Sequence, residues 1–313
     1  MLTQERRAKD LTSFHRVFLL VLVSIGSSIV YTPAYLQYVF DEPLQKALIA
    51  AGAASQDNVV TTMGTLLAAY SWTALVCYLP SGIVADRVRV RTLAWVGFGS
   101  TALLAYWYAF FPSYTVLIGL FVGMGITTIL IWWGIRFKLV RLISEEEAYS
   151  RNIGVSYGLY GLAGLILGFV NAAIVSFLAD QGDIVPMRTL LLVLGSIIMT
   201  LAVLSFFFIP KFEGEIGSSD EGFSFKQLGQ VLSNPVVWLA ALTLFFVYFF
   251  YTGVNQTTGY MKDVMMIAPG TVLIVGTVRT YGVSLISGPV FGTIAAKLGS
   301  PSRVIGFGSV VVM

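Results

Sequence analysis

Long runs of apolar residues recur along this chain, and they constrain its fold more strongly than any other feature. The first run, 14–40, has no charged residue between Arg16 and Asp41. A helix that crosses a bilayer needs about 20 mostly apolar residues, so this run predicts a membrane span. Further runs of sufficient length follow at 59–80, 92–111, 115–142, 152–179, 188–209, 235–259 and 271–296. The sequence therefore predicts an all-α integral membrane protein.

The amino-acid composition excludes a soluble globular protein. Hydrophobic residues make up 57% of the chain and charged residues only 11%, whereas a soluble domain carries about 25% charged residues. The first run is also too long for the apolar core of a secretory signal peptide. We therefore expect it to remain in the protein as the first span.

The predicted spans fall into two groups. The segment 210–234 is rich in Gly, Ser and acidic residues, which predicts a linker between a six-span half, 1–209, and a partial second half, 235–313. Three apolar linker residues have the spacing of a short amphipathic surface helix, with a disordered tether as the alternative: Phe225, Leu228 and Leu232. A ninth run begins at Val304 and is too short to cross a layer of about 30 Å, so we expect the chain to end inside a ninth span.

The distribution of Lys and Arg predicts the orientation of the chain. Only three of these residues fall on the side opposite the N-terminal tail, namely Lys46, Arg188 and Lys262. Fourteen fall in the tail or in loops on its side: Arg6, Arg7, Lys9, Arg16, Arg87, Arg89, Arg91, Lys138, Arg141, Arg151, Lys211, Lys226, Lys297 and Arg303. Because basic residues accumulate in cytoplasmic loops, the sequence predicts a multi-pass plasma (inner) membrane protein with a cytoplasmic N-terminus.

Charge is concentrated between the second and third predicted spans. Four residues there have the spacing G-x-x-x-D-R-x-x-x-R: Gly82, Asp86, Arg87 and Arg91. The pattern and its position resemble the loop signature of the major facilitator superfamily, whose usual form is G-x-x-x-D-R-x-G-R-[RK]. The chain departs from this form at Arg89 and Val90, where the family usually has Gly and Arg. The resemblance implies a gating loop, in which we expect Asp86 to act as a conformational latch and Arg89 only to orient the chain.

A second, weaker copy of the motif lies 210 residues further on. Gly292 aligns with Gly82 and Lys297 with Arg87, so the spacing is kept while the acid is lost. Repeats of this kind are common in transporters. The resemblance implies two pseudo-symmetric six-helix halves, the second incomplete here, that rock around a site near the bilayer midplane.

Two arginines lie inside predicted spans: Arg136 in the fourth and Arg279 in the eighth. A charge near the bilayer centre costs at least about 2.5–3.5 kcal/mol, so it normally faces a partner or a watery cavity. No Asp or Glu lies well inside a span to pair with them. The two guanidinium groups therefore favour an anionic substrate. Two alternatives stay open: Arg136 reaches the headgroups along its stem, or Arg279 pairs with an acid beyond Met313.

Aromatic and amide residues supply further candidates for substrate contact: Tyr31, Tyr35, Tyr251, Asn255, Gln256, Tyr281 and Trp132. Buried tyrosine and amide groups need hydrogen-bond partners, which a polyhydroxylated ligand supplies. With the arginines they favour a small organic anion such as a sugar acid or charged sugar derivative. The alternative for the tyrosines, and the better one for Tyr38, is the interfacial aromatic belt. Of the adjacent Trp132 and Trp133, we expect only one to face inward.

Small residues cluster in the fifth and eighth predicted spans. We assign six of them to close helix packing and hinge motion: Gly161, Gly164, Gly168, Gly288, Pro289 and Gly292. Small residues let the backbones of membrane helices approach each other, although this spacing is common in membrane proteins in general. The pattern resembles that of flexible helices in alternating-access transporters.

Several catalytic signatures are missing from the sequence. It contains no G-x-x-x-x-G-K-[ST] phosphate loop, and its single histidine, His15, and single cysteine, Cys77, stand far apart. This argues against nucleotide hydrolysis, a metal centre or a His-based triad, so we expect neither an enzyme nor a cofactor. The sequence predicts a monomeric secondary transporter, whose partners are a small-molecule substrate, with or without a coupling ion, and the lipid bilayer, but no nucleic acid. The alternatives are a receptor or scaffold of the same fold and an inactive fragment.

Overall fold

A computed structural model describes residues 5–216, 229, 232–255 and 257–298. Its first part is a bundle of helices that run back and forth between two faces. In chain order these are α1 (Ser13–Ile29), α2 (Asp41–Ala50), α3 (Val59–Arg87), α4 (Val90–Tyr108), α5 (Tyr114–Gly125), α6 (Gly134–Ile143), α7 (Tyr149–Phe177) and α8 (Val185–Phe208). A π-helical segment, Ile126–Trp133, joins α5 to α6 without a break.

The second part, as far as the described residues 235–298 show it, contains four helices: α9 (Pro235–Asn255), α10 (Thr257–Asp263), α11 (Pro269–Thr277) and α12 (Val283–Leu298). A second π-helical segment, Val278–Gly282, joins α11 to α12. Two short strands, β1 (Glu5–Arg6) and β2 (Lys211–Phe212), pair in parallel and tie the N-terminal tail to the segment after α8.

Helices long and apolar enough to cross a membrane confirm the predicted all-α membrane fold. Within the described residues there are six of them: Val59–Arg87, Tyr114–Ile143, Tyr149–Phe177, Val185–Phe208, Pro235–Lys262 and Gly270–Phe291. The other two predicted spans correspond to the shorter helices α1 and α4. The ninth run and most of the predicted linker, including Phe225 and Leu228, lie outside the described residues.

The first helix is shorter than the apolar run that predicted it. It ends at Ile29, and residues 30–40 form turns that include a short 3-10 helix, Leu36–Tyr38. Pro33 explains the end, because a proline ring clashes with the carbonyl group four residues earlier in an α-helix. Tyr31, Tyr35 and Tyr38 therefore lie in turns and a short 3-10 helix, and not on one face of an α-helix as their spacing in the sequence suggests.

The second predicted span is longer than expected. Helix α3 continues through Pro80 to Arg87, and only Val88 and Arg89 separate it from α4. Bilayer helices tolerate proline where neighbouring groups satisfy the backbone. The gating motif was predicted to lie in a loop, and the structure corrects this location. Gly82, Asp86 and Arg87 belong to α3, and Arg91 belongs to α4.

Helices α7 and α12 pack closely along a row of small residues. A Cβ atom added to Gly161 would overlap the backbone of Leu285, and one added to Gly164 would overlap the ring of Tyr281. Similar overlaps would occur between Gly168 and Thr277, Gly288 and Tyr157, and Gly158 and Pro289. The two parts of the molecule therefore meet through glycines, which let two helix backbones approach closely.

Candidate substrate-binding site

Arg136 lies in α6, three residues after the first π-helical segment ends. Its side chain is only 7% exposed, so it does not reach out along its stem to the membrane surface. π-helical segments are rare and often occur at functional sites. The buried position makes Arg136 the centre of the candidate site.

Two tyrosines of α7 hold the flat face of this guanidinium group. The Cζ atom of Arg136 lies 4.1 Å from the ring centroid of Tyr157 and 5.2 Å from that of Tyr160. Residues three apart on a helix share a face, and a desolvated cation–π contact contributes roughly 1–2 kcal/mol. The sequence predictions missed both tyrosines, although their Y-x-x-Y spacing inside a span was a readable signal.

One edge of the same guanidinium group, formed by Nε and Nη2, lacks a hydrogen-bond partner among the described residues. Both Nε and Nη2 of Arg136 are buried, and neither donates a hydrogen bond to any residue that the structure describes. These two nitrogens form one side of the arginine fork, whose parallel N–H bonds match the two oxygens of a carboxylate or phosphate group. Leaving a buried charge unpaired is strongly unfavourable. The geometry is that of a site prepared for an oxyanion.

Further aromatic side chains cluster around Trp133, three residues before Arg136 in the chain. The ring centroid of Tyr31 lies 6.5 Å from that of Trp133, which in turn lies 5.4 Å from that of Tyr78. The predicted Trp132 instead packs against Phe98 inside the first helical bundle, with ring centroids 4.1 Å apart. The structure thus corrects the choice between the two adjacent tryptophans in favour of Trp133, because the π-helical segment changes which residues face inward.

Tyr35 and Tyr281 meet in a narrow crevice beside this region. The crevice lies between the turn after α1, helix α7 and the second π-helical segment, and Asn171 of α7 also lines it. The ring of Tyr281 lies 6.2 Å from that of Tyr160, measured between centroids. Tyr160 therefore lies next to both Arg136 and Tyr281, a residue that lines the crevice.

Arg279 has different surroundings from Arg136. It lies in the second π-helical segment, is partly exposed, and its Nη1 donates a hydrogen bond of 2.8 Å to the hydroxyl of Thr257. Helix α10 thus already provides a polar partner for this arginine. The side chains of Tyr251 and Asn255, all of Gln256 and the surroundings of Gly292 lie outside the described residues.

The face that carries the N-terminal tail, here called the tail face, is organised around Arg89. Its Nη2 lies 2.5 Å from Oε1 of Glu5, and its Nη1 lies 3.7 Å from Oε2 of Glu215. The buried Glu215 carboxylate also accepts hydrogen bonds from the backbone N–H groups of Val90 and, at 3.1 Å, Phe212. A carboxylate at a helix N-terminus satisfies free N–H groups and is favoured by the helix dipole. These five residues are the tail-face cluster.

The predicted latch residues have fewer partners than Arg89. No ion pair within 4.0 Å joins Asp86 or Arg87 to a residue that the structure describes. The side chain of Lys138 donates to the backbone carbonyl of Ala85, near the end of α3. Arg91 lies over the ring of Phe206, with Cζ 4.9 Å from the centroid. The expectation that Arg89 only orients the chain is wrong for this structure, because Arg89 makes the ion pairs.

The opposite face, here called the far face, contains a cavity of about 260 Å³ between the two parts of the molecule. Glu42 of α2 lines it, 3.0 Å from Nζ of Lys46 on the same helix and 3.4 Å from Nζ of Lys262 on α10. The hydrogen bond from Lys46, and then the charge of Lys262, lower the pKa of Glu42 below its usual value against the opposing effect of burial. One carboxylate therefore binds a lysine of its own helix and a lysine of the other part.

Comparison with known proteins agrees with this architecture. The family model described as Major Facilitator Superfamily matches residues 16–313, which confirms the resemblance carried by the motif. The chain is 24% identical to the inner membrane protein YqcE of Escherichia coli, over 94% of the chain and 68% of that protein. It is 22% identical to the inner membrane protein YihN of the same organism, over 81% of the chain and 58% of that protein. It is 25% identical to an uncharacterized protein of Mycoplasma pneumoniae, over 93% of the chain and 65% of that protein.

Proposed function

The chain belongs to the major facilitator superfamily, and on that premise we propose that the protein moves a small organic carboxylate across the membrane by alternating access. The two moving bodies are the six-helix half, 1–209, and the second half that begins at residue 235. The site lies between them, along α7. A transporter of this kind exposes one site alternately to each side of the membrane.

The observation that carries this proposal is the buried fork of Arg136, whose Nε and Nη2 lack a hydrogen-bond partner among the described residues. Its flat face is held by Tyr157 and Tyr160, while Nε and Nη2 point to no described protein group. A carboxylate offers two oxygens in the plane of such a fork, and it neutralises the buried charge. Because the site is removed from water, that interaction is stronger than it would be at the surface. A neutral solute would leave the guanidinium group unpaired.

The orientation forms part of the proposal. The excess of Lys and Arg on the tail face supports a cytoplasmic N-terminus, and two of the relatives are named as inner membrane proteins. Motif residues Gly82, Asp86, Arg87 and Arg91 then act at the cytoplasmic face. The glycines between α7 and α12, together with Pro289, permit the halves to move while they stay in contact.

A binding and uptake experiment tests the role of Arg136. We expect small carboxylates, but not the corresponding amides, to raise the melting temperature of the purified protein and to be taken up into proteoliposomes. Arg136→Gln should abolish both effects, and Arg136→Lys should weaken binding because lysine keeps the charge but lacks the fork. Arg141→Gln is the matched control, since Arg141 lies on the same helix and is exposed.

Two results would contradict the proposal. Carboxylate binding that persists at full strength in Arg136→Gln would remove the fork from the site. Arg136-dependent binding without uptake by the wild-type protein would favour the alternative function, a receptor with the fold of a transporter.

A further inference from the structure

A second cavity, of about 190 Å³, lies at the tail face between α1, the end of α6 and the start of α7. Two arginines line it, Arg16 of α1 and Arg151 of α7. Like charges that share one cavity repel each other, and an anion placed between them removes that repulsion. The charge of the lining therefore favours an anionic ligand.

The protein balances this positive charge only in part. Arg151 is exposed, and no ion pair within 4.0 Å joins it to a residue that the structure describes. The one acid among the described residues of the lining is Glu145, whose Oε1 lies 3.3 Å from Nη1 of Arg16. The side chain of Glu145 is 75% exposed, so it can turn into water at little cost when another anion takes its place.

The start of α7 adds to the preference for an anion. Its N-cap residue, Ala148, lines the cavity and forms no side-chain cap. The N-terminus of a helix carries a partial positive charge and attracts anions. In the first turn, the amide of Asn152 donates to the hydroxyl of Ser144 at 2.8 Å, and this bond holds two polar groups of the lining in place.

The cavity lies nearer to the tail face than Arg136 does, on the same side of α6. Ile143, which lines the cavity, follows Arg136 by seven residues on this helix. Residues seven apart share a helix face and are separated by about 10 Å along the axis. At that separation a small carboxylate cannot bind to Arg136 and in the cavity at once, but it can occupy the two places in turn.

We infer that Arg16 and Arg151 form a second oxyanion site, which the transported carboxylate occupies between Arg136 and the tail side. This site is weaker than the first, because its arginines are more exposed to water and salt than Arg136 is. The inference rests on the proposed function, because it takes the anion to be the transported solute.

Protection from an arginine reagent tests the site directly. The purified protein, in a neutral detergent, is treated with phenylglyoxal, and mass spectrometry of its peptides locates the modified arginines. Acetate in place of chloride should slow the modification of Arg151, whereas acetamide should not. Arg141 is the control within the same molecule, because it is exposed on α6 but does not line the cavity.

Removing the internal competitor should strengthen the site. Glu145→Gln should lower the acetate concentration that gives half protection by up to about five-fold, since acetate then displaces no carboxylate from Arg16. Glu146→Gln is the matched control, because it removes the same charge one residue away, from an exposed side chain outside the lining. A gain in affinity cannot come from a folding defect.

Uptake measurements place the site on the route of the solute. In proteoliposomes with the protein inserted in one orientation, Arg151→Gln should raise the KM for a carboxylate offered on the tail side several-fold. The KM for the same carboxylate offered on the far side should change less. Equal changes on the two sides would remove the cavity from the route.

The remaining outcomes separate this inference from the proposed function. Modification of Arg151 at the same rate with and without acetate would overturn the inference alone, as would equal gains in Glu145→Gln and Glu146→Gln. Protection by added phosphatidylglycerol but not by acetate would assign the cavity to a lipid headgroup instead. Protection of Arg151 should persist in Arg136→Gln, because the two sites are separate. Uptake that does not depend on Arg136 overturns the proposed function, whatever happens at Arg151.

Discussion

The two faces of the molecule use charge in different ways. On the far face, Glu42 and Lys262 form an ion pair between the first half and α10 of the second. On the tail face, the ion pairs among the described residues stay within the first half or join it to the segment directly after α8. The far-face pair must break whenever the halves separate there, whereas the tail-face cluster can stay intact.

The ion pair between Glu42 and Lys262 is therefore a contact that can break when the halves move, whereas the tail-face cluster is a permanent contact. When Lys262 leaves, Glu42 still has Lys46 one turn along its own helix, so its charge is not left without a partner. Exposed ion pairs contribute only about 0–1 kcal/mol, which is little for stability but enough to shift the balance between two conformations of similar energy. Glu215, by contrast, is only 4% exposed and is bound by two backbone N–H groups and Arg89.

The largest effect is expected from breaking the permanent contact. Glu215→Ala should lower the free energy of unfolding by about 3 kcal/mol, because it leaves Arg89 and the N-terminus of α4 without their buried carboxylate. Glu213→Ala is the control, since Glu213 pairs with Arg7 at the exposed surface and should change stability little. Denaturant unfolding followed by circular dichroism measures both. Equal decreases in the free energy of unfolding of the two variants would mean that the tail-face cluster contributes no more to stability than an exposed ion pair does.

A smaller effect, with opposite signs in two variants, is expected at the far face. Lys262→Gln should favour the conformation open on that face by up to about five-fold, since only the closed form has this contact. Lys46→Gln should favour the closed form. In that variant Lys262 is the remaining lysine partner of Glu42, and it is lost when the halves separate. A reporter cysteine in place of Asp183, which lines the cavity, measures access by its labelling rate. If both variants shifted the conformational equilibrium in the same direction, Glu42 would not be shared between Lys46 and Lys262.

The smallest effect concerns pH. The lysines hold the pKa of Glu42 below its ordinary value of 4.5 in the closed form, so the contact is fully present above that value and is lost as the pH falls through the lowered pKa. Labelling of the same reporter should therefore rise below about pH 4.5 in the wild-type protein. Lys262→Gln should show a weaker rise, because it already lacks the contact between the halves. If the labelling rate rose equally in the wild-type protein and in Lys262→Gln, the effect would come from acidic residues other than Glu42.

The sequence was sufficient to predict the helices because the bilayer imposes a length and a composition on every span. It was less informative about where helices end, since that depends on single residues: Pro33 ends α1, while Pro80 fails to end α3. The glycines at helical spacing in α7 and α12 leave room for another backbone, but their spacing does not say which helix fills that room.

The candidate site could be predicted only in part. Arg136, Tyr31, Tyr35 and Tyr281 were singled out because polar groups inside predicted spans are unusual, and Asn171 carried the same signal. The role of Arg89 was not foreseeable, because it depends on Glu215, more than a hundred positions away in the chain. The choice of Trp133 over Trp132 depends on a local change of helix type that spacing rules based on 3.6 residues per turn do not include.

That change of helix type also fixes the direction of the Arg136 fork. A π-helical turn holds one residue more than an α-helical turn, and each residue of an α-helix turns the chain by about 100°. Removing one residue from Ile126–Trp133 would therefore rotate α6 by about that angle and turn the guanidinium group away from Tyr157, although no group of the site had been altered. At this position the number of residues matters as much as their identity, so a deletion would be more harmful than most substitutions.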